Sequence, residues 1–156
     1  MNRARIIVLV GNIGSGKSTL AKEYVADDYI CISRDSFRYQ IGSGDYIFNM
    51  TYEPIIHLTE KFMIEEFMKK RINLVIDETG INKEMRKPYI YLAQQYNYEC
   101  RAVEVTRISK EQAVGRRMNC PHGDGSRKFW EDIWQKFEDR YEQPTVEEGF
   151  DNVIRL

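Results

Sequence analysis

"RIIVLVGNIGSGKST", residues 5–19, joins a nearly unbroken aliphatic run to a glycine-rich turn, a lysine and two hydroxyls. Arg5 to Val10 reads as a strand buried on both faces, the pattern of a parallel sheet. From Lys17 onward the period changes: Leu20, Tyr24 and Val25 share one helical face, which ends near Asp27 and Asp28. Between strand and helix, Gly11, Asn12, Ile13, Gly14, Ser15, Gly16, Lys17, Ser18 and Thr19 fit G-x-x-x-x-G-K-[ST] in the context that motif requires. Its glycines let consecutive N–H groups turn inward onto phosphate oxygens, and the helix N-terminus adds partial positive charge. Lys17 would then reach the β- and γ-phosphates of a nucleoside triphosphate, and the Ser18 hydroxyl would serve Mg²⁺.

Outward from this turn, strands and helices alternate. "YICIS" predicts a second strand and "NLVID" a third, "CRAVEV" a fourth and the tail "NVIRL" a fifth. Between them, "YEPIIHLTEKFMIEEFMKK" predicts an amphipathic helix from about Pro54, its apolar face made by Ile55, Ile56, Leu58, Phe62, Met63 and Phe67. Lys83 to Tyr96 and Lys110 to Met118 read as further helices. Phe129, Trp130, Ile133, Trp134, Phe137 and Tyr141 mark the inward face of another. "NCPHGDGS" is the strongest loop signal in the chain. Such alternation implies an α/β fold, a parallel sheet of about five strands with helices on both faces and right-handed crossovers. No repeat or linker divides residues 1–156, so one domain is expected, with a small lid at approximately 115–128.

Bulk properties narrow the setting. Lys and Arg number 23 against 24 Asp and Glu, for a net charge of −1, which argues against a surface that coats nucleic acid throughout and leaves open a local basic groove. The 3 cysteines, Cys31, Cys100 and Cys120, are odd in number and far apart, which favours reduced thiols. Cys120 and His122 alone do not make a zinc site. No run approaches the ~20 apolar residues of a membrane span, and the expected location is cytoplasmic, with no membrane partner.

Ligands of open α/β sheets bind at the carboxyl ends of the strands, where Gly11, Ser33 and Asp77 fall. Asp77 closes an apolar strand as a Walker B carboxylate does and is the candidate metal ligand with Ser18. Glu78 and Thr79 follow, and the sequence leaves open which carboxylate faces the metal. In "ISRDSFR", residues 32–38, a strand runs directly into charge. Transfer of a phosphoryl group to an alcohol needs a carboxylate near the hydroxyl and cations around the acceptor. Asp35 fits the first need. Arg38, one turn further if the segment is helical, fits the second. Tyr39, Tyr46, Phe48 and Tyr52 follow, as core residues or as a platform for a base.

"GNIGSGKST", "ISRDSFR" and "VIDETGIN", at these intervals, resemble the 5′-hydroxyl polynucleotide kinases of the bacteriophage type. The likeness runs from the first strand through the fourth and weakens beyond "VEVT". It implies ATP as phosphoryl donor, Mg²⁺, and a 5′-hydroxyl nucleic acid end as acceptor. It implies that Asp35 is the general base, that Arg38 contacts a substrate phosphate, and that Arg34, Glu78 and Thr79 lie on the acceptor side. It further implies a lid arginine on the triphosphate, with Arg116, Arg117 and Arg127 as candidates, although "CPHGDG" spaces them differently from the family. No phosphatase domain is expected within these residues. A nucleoside, sugar or other small alcohol remains an alternative acceptor, and a nucleotide-binding switch an alternative class.

Overall fold

A computed structural model of the chain describes residues 2–120 and 122–156; Met1 and Pro121, the latter inside the expected lid, lie outside the described residues. Five strands form one parallel sheet: β1 (Arg5–Val10), β2 (Ile30–Ile32), β3 (Leu74–Ile76), β4 (Glu99–Glu104) and β5 (Asn152–Arg155), in the order β2-β3-β1-β4-β5. Its register pairs Ile7 with Val75 on one side and with Arg101 on the other. β1 and β3 are central and buried on both faces, as their unbroken aliphatic composition requires.

Six helices, α1 (Lys17–Ala26), α2 (Arg34–Ile41), α3 (Glu53–Lys69), α4 (Lys83–Gln95), α5 (Lys110–Arg117) and α6 (Arg127–Asp139), connect the strands. On one face of the sheet Ile6, Val8, Leu74 and Ile76 pack with Ile64 and Met68 of α3 and Ile90 and Leu92 of α4. On the other, Ile7, Leu9, Val75 and Val103 pack with Ala21 of α1 and with Leu20 and Tyr24. Each fully buried aliphatic side chain contributes about 1.5–3 kcal/mol. A third cluster joins Ile13 to Val114 of α5 and Trp130 of α6, with Phe129, Ile133, Trp134 and Phe137 around it. The α6 face expected from the sequence is therefore the packed one.

Two elements differ from expectation. β2 stops at Ile32, and Ser33 begins α2 at once, so "SRDSFR" is a helix start rather than a strand end. In α3 the buried row is Glu53, Ile56, Glu60, Ile64 and Met68, whereas Ile55, Leu58 and Phe62 are 62%, 67% and 64% exposed. Of the six residues expected on the inward face, Ile56 is buried and Met63 and Phe67 pack on the core, and the positions of the other three are taken inward by Glu53 and Glu60. Among the described residues no helix is long and apolar enough to cross a membrane.

Candidate active site

The glycine-rich turn between β1 and α1 takes its shape from two residues with positive φ, Gly14 at 68° and Gly16 at 95°. Gly16 is also the residue that caps α1, and a Cβ on Gly14 would lie 2.6 Å from the Ala113 carbonyl oxygen. Any side chain at Gly14 would push the turn off α5. Lys17 is buried, its ammonium donating to the Asn12 carbonyl at 2.8 Å and the Ser15 hydroxyl at 3.3 Å. Burial lowers the lysine to about 8 despite nearby Asp77, and the charge of Arg117 adds to the lowering. Among the described residues the hydrogen-bond partners of Lys17 are neutral oxygens, which suits an anion such as a polyphosphate. Ser18 donates to Asp77 Oδ2 at 2.9 Å, so hydroxyl and carboxylate already converge as a divalent cation would need.

Gly14 to Thr19 line a cavity of about 1080 Å³ together with Ser33, Asp35, Ser36, Tyr39, Asp77, Glu78, Thr79, Arg116 and Arg117. Residues expected to bind the triphosphate thus share one space with Asp35, Glu78 and Thr79, which are expected on the acceptor side. Asn12 and Ile13 do not line it. Asn12 donates to the Trp134 carbonyl and Glu138, Ile13 packs on Val114 and Trp130, and Ile13 N–H is bonded to Asn12 Oδ1. Gly11 also stays outside this lining and donates its N–H to Thr79 O at 2.9 Å, tying the turn to the loop after β3.

The carboxylates after β3 separate by direction. Asp77 faces Ser18. Glu78 turns to α2, where its Oε1 accepts the Arg34 N–H at 2.6 Å and its Oε2 accepts from the Arg34 guanidinium at 3.4 Å. Because Ser33 makes no side-chain cap, Glu78 caps α2 from the loop after β3. Burial pushes the Glu78 carboxyl upward, Arg34 opposes this, and Glu60 reinforces it. Asp77 is accordingly the better placed of the two for a metal.

On α2, Asp35 has a side chain 46% exposed and Arg38 one only 10% exposed. Arg38 donates from Nε and Nη2 to both oxygens of Glu53 at 3.0 and 2.7 Å, and from Nη1 to Asp35 Oδ1 at 2.7 Å. Its pKa stands above the ordinary value because these carboxylates outweigh the opposing burial, while Arg38 holds Glu53 below the usual carboxylate range. Arg38 lies outside the main cavity, on the wall of a second one of about 790 Å³ between α3 and α4. Arg34 lines that second cavity as well, its Nη1 lying 3.0 Å from His57 Nδ1.

The end of α5 and, after it, Asn119, Cys120 and His122 line the cavity as well. Arg116 donates to the Gly14 carbonyl at 3.0 Å. Arg117 has a buried Nε without a hydrogen-bond partner among the described residues, and its guanidinium carbon sits 5.3 Å from the Trp130 ring centre. Arg127 stands on α6, half exposed, paired with Glu131, and does not line the cavity. His122 reaches across the site to Tyr39, whose hydroxyl oxygen lies 2.7 Å from Nδ1, and stacks on Tyr46 at 4.1 Å. Among the described residues no three His, Cys, Asp or Glu side chains group as metal ligands.

The model of a family described as "AAA domain" matches residues 6–144. The chain belongs to this AAA domain family. Over 149 residues, 95% of its length, this AAA domain is 32% identical to the bifunctional polynucleotide phosphatase/kinase of Schizosaccharomyces pombe. It spans about a third of that relative, 32% of its length. Among solved structures it is similar to a chain in the Pnkp1/Rnl/Hen1 RNA repair complex, with a TM-score of 0.71 and 21% identity over 91% of this chain and 47% of that one. It is also similar to a gluconokinase from Sinorhizobium meliloti 1021, with a TM-score of 0.61 and 17% identity over 100% and 83%. At these identities the structural likeness establishes a P-loop kinase-like fold.

Two residues of the AAA domain's site escaped the sequence. Glu53 is the carboxylate that holds Arg38, and its signal was the spacing Glu53, Ile56, Glu60, Ile64, which puts two acids among buried aliphatic positions. His122 offered no signal beyond its loop, since its partners Tyr39 and Tyr46 are more than 70 residues away.

Proposed function

We propose that this chain transfers the γ-phosphoryl group of ATP to the 5′-hydroxyl end of a polynucleotide. The observation that carries the reading is the shared cavity: Asp35, partly exposed and anchored through one oxygen, stands on the same wall system as the phosphate turn, Lys17 and Arg117. A carboxylate so placed can accept the proton of an attacking alcohol, and positioned cations offset charge on the transferred group. Lys17 and the N–H groups of Gly14 to Ser18 would bind the triphosphate, with Arg116 and Arg117 over it. Ser18 and Asp77 would hold Mg²⁺, which neutralises charge on the β- and γ-oxygens when bound. The polynucleotide acceptor is supported by the name of the Schizosaccharomyces pombe relative, matched across nearly the whole chain.

A second reading keeps the chemistry with a small alcohol as acceptor, and the likeness in fold to a gluconokinase favours it. Labelled ATP offered to a 5′-hydroxyl oligonucleotide, and in parallel to nucleosides and sugars, separates them. Label on the oligonucleotide end is the expected result. Label on a small acceptor alone refutes the polynucleotide reading, and release of free phosphate with no labelled acceptor refutes both.

A further inference from the structure

Resting on the kinase reading, we propose that Tyr46 is a positioning residue that fixes the Asp35 carboxylate so that Oδ2 takes the acceptor's proton, and that the lid residue His122 seats Tyr46. The two oxygens of Asp35 are not equivalent. Oδ1 accepts two hydrogen bonds, from Arg38 Nη1 at 2.7 Å and from the Tyr46 hydroxyl at 2.9 Å. Among the described residues no hydrogen bond engages Oδ2, and Asp35 lines the cavity that holds the phosphate turn. Two donors at one oxygen fix the rotation of the carboxylate about its Cβ–Cγ bond, because turning it would leave a buried guanidinium N–H and a half-buried phenol unpaired.

Tyr46 is suited to be a permanent donor. Burial first, and then the neighbouring Asp35 charge, push its phenol well above the ordinary value, so it keeps its proton wherever the enzyme works. Its ring is held from two sides, one of them backed in turn by Trp130. The His122 imidazole stacks on it at 4.1 Å and 17°, Tyr39 meets it edge-on at 5.2 Å, and Trp130 backs His122 at 5.5 Å. His122 belongs to the segment that follows α5, whereas Tyr46 follows α2. The hydroxyl that orients the base is thus seated by a residue after α5 that lines the same cavity as the phosphate-binding turn.

In the step itself the acceptor oxygen forms its bond to the γ-phosphorus, the bond from that phosphorus to the β,γ-bridging oxygen breaks, and ADP leaves with the electron pair. The acceptor's proton passes to Asp35 Oδ2 and then to water. Tyr46 donates throughout and exchanges no proton.

Tyr46→Phe keeps the stacked ring and removes only the hydroxyl. With ATP and the acceptor that the wild-type enzyme labels, kcat should fall about tenfold to a hundredfold, the loss of one hydrogen bond to a charged group. KM for both substrates and the unfolding midpoint should stay at wild-type values. On an Asp35→Asn background the same change should have no further effect on the residual rate. His122→Ala should lower kcat in the wild-type background and much less on Tyr46→Phe. Undiminished turnover by Tyr46→Phe, or a loss confined to KM, overturns the positioning role. Losses that multiply fully in the double variant overturn the part given to His122. If the wild-type enzyme labels no hydroxyl acceptor, the kinase reading itself fails and the inference falls with it. Wild-type transfer with an unaffected Tyr46→Phe variant sinks the inference alone.

Discussion

Truncating Arg38 separates two accounts of this residue. If Arg38 chiefly meets an acceptor phosphate, Arg38→Ala raises the acceptor KM and leaves the fold untouched. The geometry gives it a different principal duty, since Nε, Nη1 and Nη2 are all engaged with Glu53 and Asp35. Removing it leaves Glu53, with a side chain only 11% exposed, without its bidentate partner. Breaking a buried pair from one side costs about 3–5 kcal/mol. Because Glu53 keeps some exposure and His57 Nε2 lies 3.8 Å from its Oε2, the low end, about 3 kcal/mol, is expected. For a chain of this length that lowers the unfolding midpoint by roughly 6–12 °C. Glu53 titrates below its ordinary value in the fold, so the stabilisation is present above the usual carboxylate range and is lost as pH falls through the folded value. The gap between wild type and Arg38→Ala should therefore narrow in acid. Thermal unfolding at neutral and acid pH, on Arg38→Ala and on Arg38→Met with Glu53→Leu, reads all of this. The double variant should regain most of the stability while kcat stays low, because Asp35 has lost an anchor. An unfolding midpoint for Arg38→Ala within about 2 °C of wild type, or a double variant no better than the single, would refute the reasoning.

Arg86 is fully buried, paired through Nε and Nη2 with Glu148 at 2.9 Å each and donating to the carbonyls of Gly80 and Glu142, so Arg86→Ala should cost about 4 kcal/mol in urea unfolding. A loss under about 1 kcal/mol would show that the pair is dispensable. Arg117→Ala should lower kcat at least about a hundredfold, whereas Arg127→Ala, paired on α6 away from the cavity, should leave steady-state rates within about twofold. The reverse ranking would place the working arginine on α6. Leu58→Gln and Phe62→Lys, at exposed positions of α3, should each change stability by no more than about 0.5 kcal/mol, and a core-sized loss in thermal unfolding would show that this stripe is packed.

The sheet and its order of elements were legible because period and punctuation agree. "RIIVLV" and "NLVI" have no polar interruption, and "GSGKST" admits one backbone solution between strand and helix. The turn itself followed, since the motif fixes its residues within nine consecutive positions, although Gly11, Asn12 and Ile13 fall outside the cavity lining. Long-range pairings were harder to read. That Asp77 meets Ser18 while Glu78 caps α2 depends on which way adjacent residues of one extended segment point once Gly80 turns the chain. α3 was half legible because its inward face also buries Glu53 and Glu60, which are tolerated there with Arg38 on the first and, on the second, Tyr89, whose hydroxyl lies 3.0 Å from Oε1, and Arg34, 3.8 Å from Oε2. Arg34 and Arg38 were expected to meet the acceptor, and the sequence offered no sign of their carboxylate partners, which come from α3 and the loop after β3.

The central claim is that Asp35 accepts the proton of a hydroxyl to which the γ-phosphoryl of ATP is transferred. Single-turnover transfer from labelled ATP to a 5′-hydroxyl oligonucleotide, by the wild type and by Asp35→Asn, tests it most directly. In the variant, Arg38 and Tyr46 donate to Oδ1 and so hold the amide oxygen towards themselves, leaving at the acceptor an Nδ2 that cannot take a proton. The account predicts wild-type labelling of the oligonucleotide and, at unchanged nucleotide affinity, a rate for Asp35→Asn lower by about 10²- to 10⁴-fold. A variant that transfers at nearly the wild-type rate would contradict it.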